Sequence, residues 1–120
     1  MPRNMSFSMT TEQVYRQQKT VTRRIGWGFL KPGDVLQAVE KAQGLKKGEK
    51  VKRICKIVVE STRWEPLCKI TKEDCIKEGF PEMSPEQFVN MFCKANKWAS
   101  YMDVNRIEFR YLKDQHAGPQ

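Results

Sequence analysis

The segment Lys19-Thr20-Val21-Thr22-Arg23-Arg24, followed by the turn Lys31-Pro32-Gly33-Asp34, decides the fold of this chain. The β-branched Thr-Val-Thr run predicts a strand, and the Pro-Gly pair predicts a tight turn that leads into a second strand at 35–39. Within six residues the first segment places an amine, two hydroxyls and two guanidinium groups. That combination is suited to an anionic or nucleotide-like ligand.

The size and charge of the chain limit the classes of protein to consider. Its 120 residues are enough for one modest core. We expect a single domain over 1–120, with its core at about 6–112 and flexible termini. Twenty-two Lys and Arg against 14 Asp and Glu give a formal net charge of +8. Such a charge favours polyanionic partners, because binding them releases counterions.

The cysteines and the single histidine indicate no metal site and no cofactor. No two cysteines have the C-x-x-C spacing of zinc ligands, and His116 lies in a polar tail. Without a signal peptide or a long apolar run, we expect a cytoplasmic protein with no membrane contact, in which thiols stay reduced. Small buried or half-buried side chains are therefore expected at Cys55, Cys68, Cys75 and Cys93.

The first half of the chain predicts one helix and three strands. The first four or five residues, roughly, are expected to fray. Thr10 and Gln13 fit a capping box, which predicts a short helix that ends near Gln18. The segment 44–50 predicts a basic loop. The following stretch, 51–64, is strand-like with imperfect alternation, which predicts a bulge or a sharp bend.

The second half predicts two short helices and a closing strand. Thr71 resembles a helix start and Gly79 a helix stop, while Ser84-Pro85-Glu86-Gln87 is a stronger capping box. The segment 104–112 alternates apolar and charged residues, which indicates a half-buried strand. This order of elements predicts an α+β fold: a small curved sheet or barrel with helices that cover its open sides.

Four motifs in this order resemble an ASCH domain of the PUA-like superfamily. They are the segment 19–24, the turn 31–34 before a strand, Glu78-Gly79-Phe80 at the end of a helix, and the closing Arg106-Ile107-Glu108-Phe109. The resemblance covers 7–112 and implies a small PUA-like mixed β-barrel with short covering helices. It also implies a cleft beside the strand that carries the Lys-x-x-Thr motif.

Some members of this group are amidohydrolases that remove the acetyl group from N(4)-acetylcytidine. The resemblance implies that Lys19, Thr22 and Glu78 are their catalytic set in this chain. The sequence departs from many members in two places, at Gln18 and in the longer basic loop at 45–53. Both departures concern the substrate more than the fold.

Each residue of this set also has an ordinary structural role. Lys19 is placed where a helix C-terminus would stabilise a cation by about 0.3 to 1 kcal/mol, and it acts as a base only in a desolvated pocket. Thr22 is a good strand former. Glu78 fits an exposed helix end, although the helix dipole disfavours a carboxylate there. Thr22 becomes a nucleophile only beside a positioned base.

A second set of residues is assigned to substrate or nucleic-acid binding. Arg23 and Arg24 either clamp a phosphate or a base edge, or solvate a strand edge. Trp27 either stacks on a base or covers the barrel end, whereas Trp64 and Trp98 are expected to pack. The lysines of the basic loop either follow a nucleic-acid backbone or form a solvated hairpin loop. The complete set is Arg23, Arg24, Trp27, Lys31, Lys46, Lys47 and Lys50.

Two functions are left open by the sequence, with a nucleoside or RNA as the expected partner. In the first, an amidohydrolase acts on the acylated exocyclic amine of a cytidine-like nucleoside. Thr22 attacks, Lys19 takes its proton, and Glu78 passes a proton to the leaving amine. The second is a non-catalytic RNA-binding or modified-nucleotide-binding module. A regulatory protein that binds a host protein is a third class, and the sequence does not fix the oligomeric state.

Overall fold

A five-stranded mixed sheet organises the protein in the computed structural model, which describes residues 2–113. Its strands are β1 (Arg3–Ser6), β2 (Val21–Arg24), β3 (Val35–Val39), β4 (Arg53–Pro66) and β5 (Asp103–Tyr111). The spatial order is β1-β3-β4-β5-β2, with β1 parallel to β3 and the other neighbours antiparallel. The sheet curls into a half-barrel, which confirms the predicted small α+β PUA-like class. His116 and the tail expected to be flexible lie outside the described residues.

Short helices cover the sheet: α1 (Thr11–Tyr15), α2 (Lys72–Lys77) and α3 (Pro85–Asn96), with a 3-10 turn at Leu67–Lys69. The predicted capping box of α3 is confirmed, because the Ser84 hydroxyl accepts from the N–H of Gln87 and the Gln87 amide accepts in return from the N–H of Ser84. Thr71 caps α2 in the predicted way. None of the helices in residues 2–113 has the length and apolar character needed to span a bilayer.

The N-terminal region differs from the expectation in two places. The residues expected to fray form β1, because they pair in parallel with 36–39 of β3 and bury Met5 completely. The first helix ends at Tyr15, and its N-cap Thr10 has no side-chain capping bond. Gln13, the other half of the expected capping box, instead donates a 3.1 Å hydrogen bond to the carbonyl of Gly79. This side chain therefore joins α1 to the end of α2.

The core consists of two apolar clusters on either side of a bend in β4. The first lies against α1 and includes Met5, Phe7, Ile57 and Phe109, and the second lies under α3 around Phe88. The pairing of β4 with β5 shifts register between Val59 and Ser61, which confirms the predicted bulge. A bulge bends a strand and increases its twist. Before the bulge, Ile57 and Val59 of β4 join the first cluster, and Leu67, directly after the end of β4, joins the second.

The burial of three side chains differs from the expectation. Arg106 falls on the polar phase of β5, yet only 4% of it is exposed, because Asp74 pairs with its guanidinium. Cys68 is exposed in the 3-10 turn. Trp64, expected to pack, is 51% exposed, whereas Trp98 packs against the second cluster as predicted.

Candidate active site

A cleft of about 440 Å³ lies beside β2, between the end of α2 and one side of α3. Lys19, Thr22 and Glu78 all line it, so the fold brings the three implied catalytic residues to one site. Two arginines, Arg23 and Arg24, add charge to this lining. Half of the apolar side chains of the cleft come from the segment after α2 and from α3: Phe80, Phe88, Met91 and Phe92.

Lys19 lies in the short connection between α1 and β2 and points into the protein. Its carbonyl accepts a 2.5 Å hydrogen bond from the hydroxyl of Tyr111, and the next residue, Thr20, pairs with Lys77 and Phe109 through its backbone. The side chain is only 3% exposed. The alternative role at a helix C-terminus is therefore wrong, because α1 ends four residues earlier and has no basic residue in its last turn.

Within residues 2–113, Glu78 is the only residue that accepts hydrogen bonds from the amine of Lys19. Its Nζ donates to Oε1 at 2.7 Å and to the backbone carbonyl at 2.8 Å. Burial lowers the pKa of Lys19, the charges of Arg24 and Arg23 lower it further, and Glu78 opposes them. A neutral amine has two N–H donors and one lone pair. Since Glu78 can satisfy both donors, the lone pair of a neutral Lys19 is left to accept a proton.

Glu78 caps the C-terminus of α2, and Gly79 fixes where its side chain goes. Gly79 has φ +97° and donates to Ile76, while Phe80 donates back to Cys75, which is a Schellman ending. A Cβ at Gly79 would lie 2.9 Å from Cγ of Gln13. Glycine is thus required by conformation and by space. The turn buries Glu78 to 3% exposure, so the alternative of an exposed helix-end carboxylate is wrong.

Behind the cleft, Arg23 joins three carboxylates. Its guanidinium donates to Glu65 at 2.8 Å, to Asp74 at 2.6 Å and to Glu78 at 3.2 Å. Its side chain is 1% exposed, so it does not solvate a strand edge. Although burial opposes the change, hydrogen bonds from Arg106 and Arg23 hold the pKa of Asp74 far below its usual range. This buried network fixes the position of the Glu78 carboxylate.

The network balances its charges and was only partly visible in the sequence. It contains three cations and three anions: Lys19, Arg23, Arg106, Glu65, Asp74 and Glu78. The two other carboxylates of the network, Glu65 and Asp74, were not among the site residues predicted from the sequence. Asp74 lies in the first turn of α2, where an acidic residue is ordinary, and Glu65 lies at the end of a long strand. Neither position carries a local signal.

Thr22 and Arg24 form a pair on the open side of the network. Nε of Arg24 donates to the hydroxyl oxygen of Thr22 at 3.0 Å, and its Nη2 donates to the carbonyl of Ser6 at 2.7 Å. The guanidinium also lies 4.8 Å from the ring centre of Phe7. Burial lowers the pKa of Arg24 to about 10, so it is charged at neutral pH. Because Thr22 accepts from a cation, its own proton is free for a base and negative charge on its oxygen is stabilised.

The same architecture occurs in solved structures of low sequence identity. An ASCH domain from Lactobacillus crispatus has a TM-score of 0.60 at 16% identity, and the match covers 91% of this chain and 79% of that one. The chain has the ASCH-domain fold. A protein from Enterococcus faecalis assigned to the family model DUF984 has a TM-score of 0.66 at 14% identity, covering 93% and 80%. The hypothetical protein PH0355 has a TM-score of 0.65 at 18% identity, covering 93% and 100%.

These comparisons concern the fold alone. No family model matches the sequence, and no curated protein sequence matches it either. The ASCH resemblance seen in the four motifs is therefore confirmed at the level of architecture, and identities of 14 to 18% carry no substrate from one protein to the other.

The remaining predicted binding residues divide between the cleft and the outer surface. Trp27 lines the cleft, with φ +60°, and Asn105 donates to its carbonyl at 3.1 Å. Lys31 is exposed and lies outside the cleft. Lys50 borders a separate cavity of about 220 Å³. The lysines of the basic loop, called here the loop lysines, are all exposed: Lys46, Lys47 and Lys50.

The described part of the chain contains no cluster of three or more His, Cys, Asp or Glu side chains arranged to hold a metal ion. The acidic residues near the cleft are engaged by arginine and lysine instead. The lining of the cleft includes an amine, a hydroxyl, a carboxylate and two guanidinium groups, from Lys19, Thr22, Glu78, Arg23 and Arg24.

Proposed function

We propose that this protein is an amidohydrolase that removes an acyl group from the exocyclic amine of a cytidine-like nucleoside, of which N(4)-acetylcytidine is the type. One observation carries the proposal. The Lys19 amine, whose pKa is lowered by burial, is held by Glu78 in a cleft that Thr22 also lines. Burial of an amine lowers its pKa and so increases the share of the neutral form, which is the form that can take a proton.

In the first half of the reaction, Thr22 attacks the acyl carbon while Lys19 takes the hydroxyl proton. The hydrogen bond from Arg24 stabilises the oxygen as it loses that proton. The amide C–N bond then breaks, and the proton passes from Lys19 through Glu78 to the leaving nitrogen. The 2.7 Å contact between the amine and the carboxylate makes the step from Lys19 to Glu78 direct. The products are the free exocyclic amine and an acyl ester on Thr22.

In the second half of the reaction, the free amine has left the cleft and a water molecule takes its place beside the acyl ester. The Lys19 and Glu78 pair takes a proton from the water as it attacks the ester, and that proton returns to the oxygen of Thr22 as the ester C–O bond breaks. The carboxylic acid leaves and the hydroxyl is restored. Overall one amide and one water give one amine and one carboxylic acid, so no further reactant is needed.

The size and lining of the cleft support a ligand of nucleoside size. Its volume of about 440 Å³ lies within the usual range of small-molecule sites, roughly 300 to 1,000 Å³. Phe80, Phe88 and Phe92 give apolar surface against which a base can lie, and Trp27 also lines the cleft. Arg24 supplies a cation for a polar edge of the ligand.

The proposal is tested by incubating the purified protein with a panel of acylated compounds and separating the products by chromatography. The panel contains N(4)-acetylcytidine, N(4)-acylcytidines with longer acyl chains, an acetylated adenosine and an acetyl-lysine peptide. We expect cytidine to be released with many turnovers, and the acetyl-lysine peptide to remain intact. Absence of turnover on every acylated nucleoside would refute the proposed amidohydrolase activity.

A non-catalytic RNA-binding module is the second candidate function. It is favoured by the loop lysines, which are exposed and lie outside the cleft. In that case the protein binds RNA with strong salt dependence and releases no product from any member of the panel.

A further inference from the structure

Three aromatic side chains stand at the surface beside the cleft, where ordinary packing would have buried them. Phe29 is 55% exposed and Trp64 is 51% exposed, and Trp27 is half-buried at the cleft itself. Large aromatic side chains are usually in the core or at binding surfaces, because each carries 150 to 250 Å² of area, roughly, that is costly to leave in water. We call these three residues the aromatic platform.

The platform is continuous and reaches the cleft. The ring centres of Trp27 and Phe29 are 5.6 Å apart, with the ring planes inclined by 39°. Between them, Gly28 lies against Trp64, so closely that a Cβ there would be 3.3 Å from Cζ2 of the indole. Trp27 also lines the cleft. A ligand seated in the cleft therefore has aromatic surface directly beside it.

The platform is also held in place. Nδ2 of Asn105 donates to the carbonyls of Gly26 and Trp27, at 3.3 Å and 3.1 Å, which fixes the loop that carries two of the rings. Trp64 stands opposite the same Asn105 in the ladder between β4 and β5. Trp27 has φ +60°, a conformation that a residue with a side chain adopts at a cost. Rings fixed in this way bind with little loss of conformational entropy.

The charges around the platform select the kind of partner. The guanidinium of Arg3 lies 4.8 Å from the ring centre of Phe29, and Lys31, which follows shortly after Phe29 in the chain, is exposed. The protein as a whole carries a formal charge of +8. Exposed aromatic rings among cations are the pattern by which proteins bind unpaired bases together with their phosphates.

We propose that the aromatic platform stacks the unpaired bases that flank a nucleotide seated in the cleft, so that the ligand is a single-stranded RNA. The inference rests on the proposed function only for the identity of the nucleotide in the cleft. A ribonucleotide there makes RNA, and not DNA, the polymer. A duplex does not fit this use of the platform, because its bases are stacked on one another.

The first test measures binding of a short, fluorescently labelled single-stranded RNA by anisotropy. We expect Trp64→Ala and Phe29→Ala each to weaken binding by about 5- to 150-fold, which corresponds to the loss of one stacked base. Tyr101→Ala is the matched control, because Tyr101 is an aromatic residue at 74% exposure outside the platform. Thermal unfolding of each variant shows that the fold is retained. The proposal is overturned if both platform variants bind as tightly as the wild type, or if duplex RNA binds as tightly as the single strand.

The second test separates this inference from the proposed reaction. Deacylation is compared for free N(4)-acetylcytidine and for a single-stranded RNA with that nucleotide at its centre. We expect Trp64→Ala to lower kcat/KM for the RNA by the factor found in binding and to leave kcat/KM for the free nucleoside unchanged. An equal loss on both substrates would contradict the platform. If the wild type turns over neither substrate, the reaction is refuted, and the binding test alone decides the platform.

Discussion

Glu78→Gln is the change whose cost can best be derived from the structure. The carboxylate lies 2.7 Å from the amine of Lys19 and 3.2 Å from the guanidinium of Arg23. All three side chains are less than 5% exposed. Removing one partner of a buried ion pair leaves an uncompensated charge and costs about 3 to 5 kcal/mol. Glutamine keeps the shape of the side chain and an acceptor oxygen, and the Glu78 carbonyl still binds Lys19, so we expect the lower end, about 3 kcal/mol at pH 7.

The stability lost in Glu78→Gln should also depend on pH, and the titration of Lys19 determines whether the loss grows or shrinks as the pH rises. Its pKa lies below the ordinary 10.5, and Glu78 is the group that raises it. Without that carboxylate the folded-state pKa falls further, while the unfolded value is unchanged. Above this new folded-state pKa, Lys19 is protonated in the unfolded variant and neutral in the folded variant. The free energy of unfolding of the variant therefore rises with pH in that range. The deficit relative to the wild type shrinks by about 1.4 kcal/mol per pH unit between the two folded-state values.

The assay is urea unfolding followed by tryptophan fluorescence, from pH 6 to pH 10. Glu82→Gln is the control, because Glu82 is an exposed glutamate in the loop before α3. At pH 7 we expect the Glu78 variant to unfold roughly 10 to 15 °C earlier in a parallel thermal scan. A loss no larger than that of the control, or a deficit that does not change with pH, would refute the reasoning about the buried pair.

Two further changes test how the site is positioned and what lies around it. Gly79→Ala should cost at least about 1 kcal/mol more than Gly33→Ala, because both glycines have φ +97° but only the first meets Gln13; equal losses in urea unfolding would show that the contact does not matter. Replacing the loop lysines together by glutamine should reduce the slope of log affinity for single-stranded RNA against log salt by up to about 2. An unchanged slope would show that the loop lysines are solvated and do not contact the RNA.

Local signals in the sequence predicted the elements that position the cleft. The segment that begins at Lys19 leads into β2, Gly79 ends α2, and Ser84 starts α3 with its capping box. Each of these features depends on residues within a few positions of one another. The β3 strand was predicted with its observed bounds for the same reason, because the turn at 31–34 precedes it directly.

Features that depend on distant residues were not predictable from the sequence. Arg23 and Asp74 are 51 positions apart, and Arg106 is 32 positions beyond Asp74, yet the three share one buried hydrogen-bond network. Pairing with β3 orders residues 3–6, which look like a frayed end in isolation. The ring of Trp64 lies against Gly28, which belongs to a distant loop. In each case the partner lies far along the chain.

The central claim is that Thr22 attacks the acyl group, and it is tested most directly by the rate of deacylation in Thr22→Val. Valine keeps the shape and strand preference of threonine but lacks the attacking oxygen. Thr20→Val is the matched control, because Thr20 precedes the same strand and its side chain does not line the cleft. We predict that cytidine release from N(4)-acetylcytidine collapses in Thr22→Val while cytidine binding and folding are kept, and that Thr20→Val retains the wild-type rate. Unchanged release in Thr22→Val would contradict the account.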